Sequence, residues 1–378
     1  MLKPWPLWAM PKISLTPTPL LRWKCALAPE GEGLFTLPPP GEGPGMRERK
    51  HRNKFSKWPL ARIIAIGIPL SAANAAAQPY PTKPVRVVVP YAAGGLPDTM
   101  TRLVATRLTE ALKQQFVIDN RPGAGGIGAC ELVARANADG YTLLVADVGQ
   151  TAINPALYAK LPYDPLKDFA PVSIMGTSAQ FIAAHASVPA NTLNELITLA
   201  KAKPGALRYG SGGIGSLHHL SMEALNGPLG LKLVHVPYKG TAQSVPALIS
   251  GEVSLAMSAL PSLAPHRAGG RIKLLAVNTL KRSAQAPDVP TVAEVTGIKD
   301  FDYPPVIGIL APSATPRAIV NLLSASIAQA VRHRDIVQRY TTLGIDPVGS
   351  SPEEYAAQNR TDFVKYAKLV KAAGVKAE

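Results

Sequence analysis

Cysteine is nearly missing from this sequence: Cys25 and Cys130 are the two in 378 residues. That count excludes a disulfide framework and any multi-cysteine zinc or iron–sulfur cage. Long apolar runs are missing too, and none reaches the ~20 residues that a membrane-spanning helix needs. Charged residues are only 17% and aromatics 6%. Apolar residues nevertheless make up 47%, which suffices for a sizeable core and excludes whole-chain disorder. The 31 Gly and 37 Pro show no collagen period, and no internal repeat is present. No G-x-S-x-G elbow occurs, which argues against serine-hydrolase chemistry.

What is present at the N-terminus reads as address rather than machine. Residues 1–45 include a Pro/Gly-rich stretch, Leu27–Gly45, without apolar period, and are expected to be a non-native or disordered extension, with Met46 as the true start. From there Arg47, Arg49, Lys50, Arg52, Lys54 and Lys57 form a basic leader, followed by the eleven-residue apolar run Ile63–Ala73. Small-residue cleavage sites end at Ala75 or Ala77, so 46–77 reads as a secretory signal and the mature protein as periplasmic. The rival reading of the basic run is a nucleic-acid patch, but the order of basic, apolar and small segments opposes it. Of 40 Lys+Arg and 25 Asp+Glu, 11 and 4 fall within 1–77, leaving a dispersed +8 on 78–378. Dispersed charge argues against nucleic acid and suits attraction of small anions. With Cys25 in the leader, Cys130 stands alone on the apolar face of a predicted helix, an inert buried thiol.

Along the mature chain the pattern is α/β. Strands are predicted at 85–90, 116–120 and 141–145, alternating with helices over 98–114 and from 121–126 through 136. Short connections make this a parallel sheet. The alternation resumes with helices over 192–203, 216–226 and 245–250 and strands at 207–210, 231–236, 253–257 and 272–277. Residues 281–303 read as irregular. A strand at 306–311 and helices over 316–332, 335–343 and 352–373 complete the chain, with Pro316 and Pro352 in first turns after the caps Thr315 and Ser351. Crossings near 175–180 and 303–308 divide it into lobe I, 80–178 plus 306–378, and lobe II, 179–305. Ligands in open α/β sheets sit outside the carboxyl ends of the strands, so a cleft between two such lobes is the expected site.

Two glycine-rich turns carry the candidate chemistry. Tyr91, Ala92, Ala93, Gly94, Gly95 and Asp98 lie between the first strand and its helix, and Ser211, Gly213, Gly215 and Ser216 occupy the matching place in lobe II. Each turn lets backbone approach a ligand while a helix start supplies free N–H groups and a positive dipole end, a cradle for carboxylate or phosphate. The first turn has neither dinucleotide nor P-loop spacing, and no cofactor is expected. Asp98 is read as helix N-cap, as ligand contact, or as both. His219 and Glu223, four apart on one helical face, with His218 beside them, raise a metal site, but a third ligand is lacking; His185, His235 and His266 sit in unrelated contexts.

The chain also resembles a known family. The stretch Tyr80–Asp98 (YPTKPVRVVVPYAAGGLPD), Asn120–Gly126 (NRPGAGG), Asp139–Leu144 (DGYTLL), Ile153–Pro155, Leu161–Asp164, Asp168–Val172, His235–Gly240 (HVPYKG), Asp288–Glu294 (DVPTVAE) and Leu310–Pro312 occur in family order. Together they look like the tripartite tricarboxylate receptors, the Bug-type extracytoplasmic solute-binding proteins, over nearly the whole mature chain. The resemblance implies a type II periplasmic-binding-protein fold, two-lobed with a ligand cleft between the lobes. It implies a monomer that binds a small carboxylate without chemistry and presents it to inner-membrane permease subunits. It places the two loops, with Gln150, Thr151, Asn154, His219, Tyr238 and Lys239, at or near the cleft. Leu96-Pro97 departs from the small or hydroxyl residues usual there, and Pro97 removes one N–H donor. Ser254 and Ser258 stand where the family often has Asp, and Val306 where an aromatic is common. A serine at 258 should disfavour an amino-acid ligand. A ligand sensor docking to a signalling partner, and a metal-assisted hydrolase using His219 and Glu223, are the competing readings.

Overall fold

The computed structural model of the chain describes residues 80–376. The extension, the leader, the cleavage sites and the choice between Met1 and Met46 lie outside the described residues. In chain order come β1 (Val85–Val89), α1 (Leu96–Leu112), β2 (Phe116–Asn120), α2 (Ile127–Ala134), β3 (Thr142–Ala146), a wide turn over 149–153 leading into α3 (Asn154–Leu157), and β4 (Phe169–Thr177). Then follow β5 (Gln180–His185), α4 (Leu193–Ala202), β6 (Arg208–Ser211), α5 (Leu217–Leu229), β7 (Val234–Pro237), α6 (Thr241–Ser250), β8 (Leu255–Ala259), α7 (Leu260–Ala268), β9 (Ile272–Val277) and α8 (Val292–Thr296). The chain returns through β10 (Val306–Pro312), α9 (Arg317–Val331), α10 (Arg334–Thr342), β11 (Asp346–Pro347) and α11 (Pro352–Ala373).

These strands form two sheets. One has the order β11-β4-β10-β3-β1-β2, the other β7-β6-β8-β5-β9. Pairing is parallel where strand and helix alternate, between β1 and its neighbours β2 and β3, and between β6 and its neighbours β7 and β8. It is antiparallel where the chain changes lobe: β10 runs against β3 and β4, and β5 against β8 and β9. The parallel sheet expected from the first three strands is thus present, and the returning strands add antiparallel members to it. Strands β4 and β5 themselves replace what reads in sequence as a bare crossing, because a strand that leaves one sheet for the other carries no glycine-rich turn to mark it. The register Gly308↔Ala146 and Val306↔Thr177 puts the start of β10 and the end of β4 at the edge where β3 ends. Both crossings thus pass at the carboxyl edge of lobe I.

Strand alternation sorts side chains onto two faces. Val85, Val87 and Val89 of β1 join Met100, Leu108 and Tyr340 under α1, α9 and α10. Val88 points the other way, into an apolar cluster that also holds Cys130, Leu144, Tyr355 and Tyr366 and continues into lobe II through Ile182, Leu220 and Leu225. Cys130 is fully buried, and burial pushes its thiol up to about 12, as an inert thiol requires. A third cluster fills the far face of the lobe II sheet around Phe181, Leu248 and Leu263.

Several element boundaries move. The helix expected from 98 starts at Leu96, so Gly95 is the N-cap and Asp98 stands inside the first turn. Pro316 is itself the N-cap of α9, so Thr315 does not cap it. Ser351 does cap α11, with a full capping box to Glu354 and Pro352 in the first turn. The segment 281–303 contains α8, closed by a Thr291–Glu294 capping box. Lys232 has φ +57 and delays β7 to Val234, leaving Leu231 and Leu233 as buried loop anchors.

Candidate functional site

Three strand–helix turns meet at the carboxyl edge of lobe I: 90–95 after β1, 121–126 after β2 and 147–153 after β3. Asp98 holds the first. Its carboxylate accepts from Gly94 N–H (2.8 Å), Arg102 Nε (2.9 Å) and Asn120 Nδ2 (2.9 Å), and the residue is 1% exposed. Burial alone would raise its pKa, but these donors outweigh it and hold the carboxyl below its ordinary value. The N-cap reading of Asp98 is thus corrected: its carboxylate reaches back from the first turn to Gly94 N–H, one residue before the N-cap Gly95, and its lone pairs serve the loop.

Tyr91 ties the first turn to the third. Its hydroxyl donates to Asp147 Oδ2 at 2.6 Å, and Gln150 Nε2 donates to it at 3.1 Å. Gln150 Nε2 also reaches Gly125 O (3.1 Å), to which Asn154 Nδ2 donates at 2.9 Å. Thr151 Oγ1 donates to Asp147 O at 3.1 Å. Burial raises the Asp147 carboxyl, while Tyr91 OH and Gly149 N–H pull it back. Gln150, Thr151 and Asn154 therefore stand at the carboxyl edge of lobe I, with their side chains bonded within that lobe. Asp147 and Asn120, which organise the set, were not singled out from sequence, since their partners lie 56 and 22 residues away.

Lobe II builds its turn from uncharged groups. Ser211 Oγ accepts from Gly213 N–H (3.0 Å) and lies 2.6 Å from His235 Nε2. Ser216 caps α5, its hydroxyl accepting from His219 N–H, and His219 Nδ1 accepts from Gly215 N–H at 3.0 Å. The His219 and His235 rings stack at 3.8 Å, 6° apart, with Tyr209 beneath His235 at 5.0 Å. His235 is thus no bystander, which corrects the reading of its context as unrelated. Burial lowers the pKa of His219; burial, then the neighbouring ring, brings His235 to about 4. Glu223 accepts from Tyr209 OH (2.5 Å) and Asn226 Nδ2 (3.1 Å), so the carboxylate of the suspected metal pair is engaged, and no metal-holding cluster occurs among the described residues. His218 approaches Gln180 Oε1 at 3.3 Å, beside the crossing where Asn278 bonds Gln180 and Tyr303.

The remaining candidates separate. Tyr238 hands its hydroxyl to Glu252 (2.8 Å) and contributes main chain beside Gly213. Ser258 is buried on β8 opposite Phe181. Among the described residues no acceptor is present for the N–H groups of Ala92, Ala93 and Leu96 in lobe I, nor for Gly212, Ile214, Leu217 and His218 in lobe II. Pro97, second in α1, contributes none. Gly215 has φ +70, and a Cβ there would collide with Leu157 Cδ1 of lobe I, so the two carboxyl edges touch at this point. The letters G-x-G-x-x-G occur at 123–128 and 210–215, each between strand and helix. Neither is a dinucleotide cradle: β2 and β3 are separated by β1, and β7 ends in Pro237-Tyr238-Lys239 without a carboxylate.

A family model, the tripartite tricarboxylate transporter family receptor, matches residues 100–375. The chain belongs to that family. Such receptors are solute-binding proteins rather than enzymes, of the two-lobed periplasmic-binding type. Protein BugT of Bordetella pertussis is 31% identical to this receptor over 323 residues, 84% of this chain and 99% of the relative. Among solved structures, the R. palustris protein Rpa4515 with adipate is 34% identical, with TM-score 0.70, covering 79% of this chain and 99% of its own. MatC from Rhodopseudomonas palustris with bound malate is 32% identical, with TM-score 0.67, covering 77% and 100%. Both bound solutes are small carboxylates.

Proposed function

We propose that this receptor captures a small organic acid in the periplasm, between loops 91–98 and 211–216, and delivers it to the membrane subunits of a tripartite tricarboxylate-type transporter. The carrying observation is a pair of strand–helix turns, one in each lobe, whose main-chain N–H groups at the starts of α1 and α5 have no acceptor among the described residues. A carboxylate satisfies several such donors at once, and hydrogen bonds to an anion are about twice as strong as neutral ones. Gln150, Thr151, Asn154, Ser211, Ser216 and His219 act by fixing these turns, and Ser258 leaves no acid for an amino group. No chemistry follows binding; the acid biases the lobes toward closure about the Ser178–Gln180 and Asn278–Tyr303 crossings. The adipate and malate bound by the two relatives support the ligand class.

A thermal-shift panel tests this on protein stripped of carried-over ligand by partial unfolding and refolding. It holds mono-, di- and tricarboxylates including adipate and malate, with nicotinate and amino acids. Ligand at 100 times its Kd adds ~2.7 kcal/mol, a rise of several degrees. Carboxylates should shift the melt and amino acids should not. A panel in which only amino acids shift it, or no acid does, contradicts the reading.

A further inference from the structure

A cavity of about 330 Å³ opens on lobe I, lined in part by Ala170 and Pro171 at the start of β4. Strand register places it away from the glycine-rich turns. Ala170 pairs with Ala311 near the end of β10, whereas the turns leave the sheet at the edge where Gly308 meets Ala146. Strand β11 pairs with β4 only at Gly176 and Thr177, so it does not extend over this end of β4. Two long helices begin here instead. Arg317, the first residue of α9, and Pro352 and Glu353, the first two of α11, line the cavity. The N–H groups of Arg317 and Glu353 have no acceptor among the described residues. Thr315 lines it too. That residue is 7% exposed, and its Oγ1 has no hydrogen-bond partner among the described residues. A buried hydroxyl left unbonded is costly, and beside two helix starts it points to an acceptor that the chain itself does not supply. Arg317 pairs with Glu353 through one carboxylate oxygen, and Arg360, two turns further along α11, forms no ion pair among the described residues.

We propose that this cavity binds inorganic phosphate as hydrogen phosphate. Its donors are the Thr315 hydroxyl, the Arg317 and Arg360 guanidinium groups and the two main-chain N–H groups. They suit the four oxygens of a tetrahedral anion better than the two of a carboxylate, and guanidinium forks match phosphate geometry. Glu353 decides among tetrahedral anions. Hydrogen phosphate keeps an O–H that can be donated to this carboxylate, whereas sulfate has none and is repelled by it. An occupant joins the starts of α9 and α11 to the β4 edge, so phosphate stabilises lobe I by linkage without using the cleft.

Calorimetric titration of phosphate into the full protein, at low salt and pH 8, tests this. Sulfate and phenyl phosphate, which has lost both protons at that pH, are the comparison anions. Phosphate should bind saturably at one site, and the other two about tenfold more weakly. Arg360→Gln should weaken phosphate about tenfold and leave the thermal shift by carboxylates unchanged. Thr315→Val should weaken phosphate about fivefold, while its urea midpoint without phosphate stays or rises, because valine removes an unbonded hydroxyl. Glu353→Gln should abolish the preference for phosphate over sulfate. Absence of saturable phosphate binding in the millimolar range overturns the proposal. So does an affinity that Arg360→Gln and Thr315→Val both leave unchanged, which would place the anion elsewhere, the cleft loops included. Sulfate or phenyl phosphate binding as tightly as phosphate would overturn the assignment of hydrogen phosphate.

Discussion

The two cradles occupy equivalent places in their lobes but are held by opposite chemistry. Lobe I staples its turn with a buried carboxylate, Asp98, fed by three donors. Lobe II uses two stacked neutral imidazoles, His219 and His235, with two serines. A carboxylate stays charged down to about pH 4, whereas an imidazole must stay neutral to accept from a main-chain N–H. Turns in equivalent places therefore carry different acid sensitivities.

Asp98→Ala should have the largest effect. It strands Gly94 N–H and removes the ion pair to Arg102, while Asn120 Nδ2 keeps Tyr91 O and Arg102 keeps Asn120 Oδ1, at a cost of about 2 kcal/mol by urea denaturation. A loss under about 1 kcal/mol would deny the carboxylate its stapling role.

Gly215→Ala should cost about 1–2 kcal/mol for a left-handed backbone and weaken acid binding, since its Cβ meets Leu157. Adding Leu157→Ala should restore binding, by calorimetry, without restoring the backbone cost. No restoration would mean that the inter-lobe contact is unimportant for capture.

Acid should loosen lobe II before lobe I. The folded pKa of His235, about 4, lies below the ordinary 6.5, so its contribution is complete above 6.5 and is lost as pH falls from 6.5 toward 4. Asp98 is depressed below the carboxylate value of 3.8, so its contribution is complete above 3.8 and is lost only below it. Stability should therefore fall by on the order of 1 kcal/mol between pH 7 and 5, and His235→Gln should flatten that slope. An unchanged slope would remove the imidazole stack from the account.

The smallest effect is expected for Tyr238→Phe. It removes one exposed hydrogen bond to Glu252, worth under about 0.5 kcal/mol, with acid affinity unchanged. A large loss of affinity would return Tyr238 to the cleft as a ligand contact.

The alternating strands and helices were legible because period-2 and period-3.6 patterns are local. The glycine turns were legible for the same reason. What escaped the sequence depends on partners far along the chain. The Asp98–Asn120 and Tyr91–Asp147 bonds join three separate turns, and His235 meets His219 only because β7 lies beside β6. Helix α7 escaped because Pro261 and Pro265 look like breakers; Pro261 sits in its first turn, where no N–H is needed.

Under the proposed function, both turns grip one acid. Hydrogen–deuterium exchange with and without the acid that gives the largest thermal shift tests it most directly. Simultaneous protection of the amides at 92–96 and 212–218 is the expected result. Protection confined to one lobe, or lying outside both turns, would contradict the account.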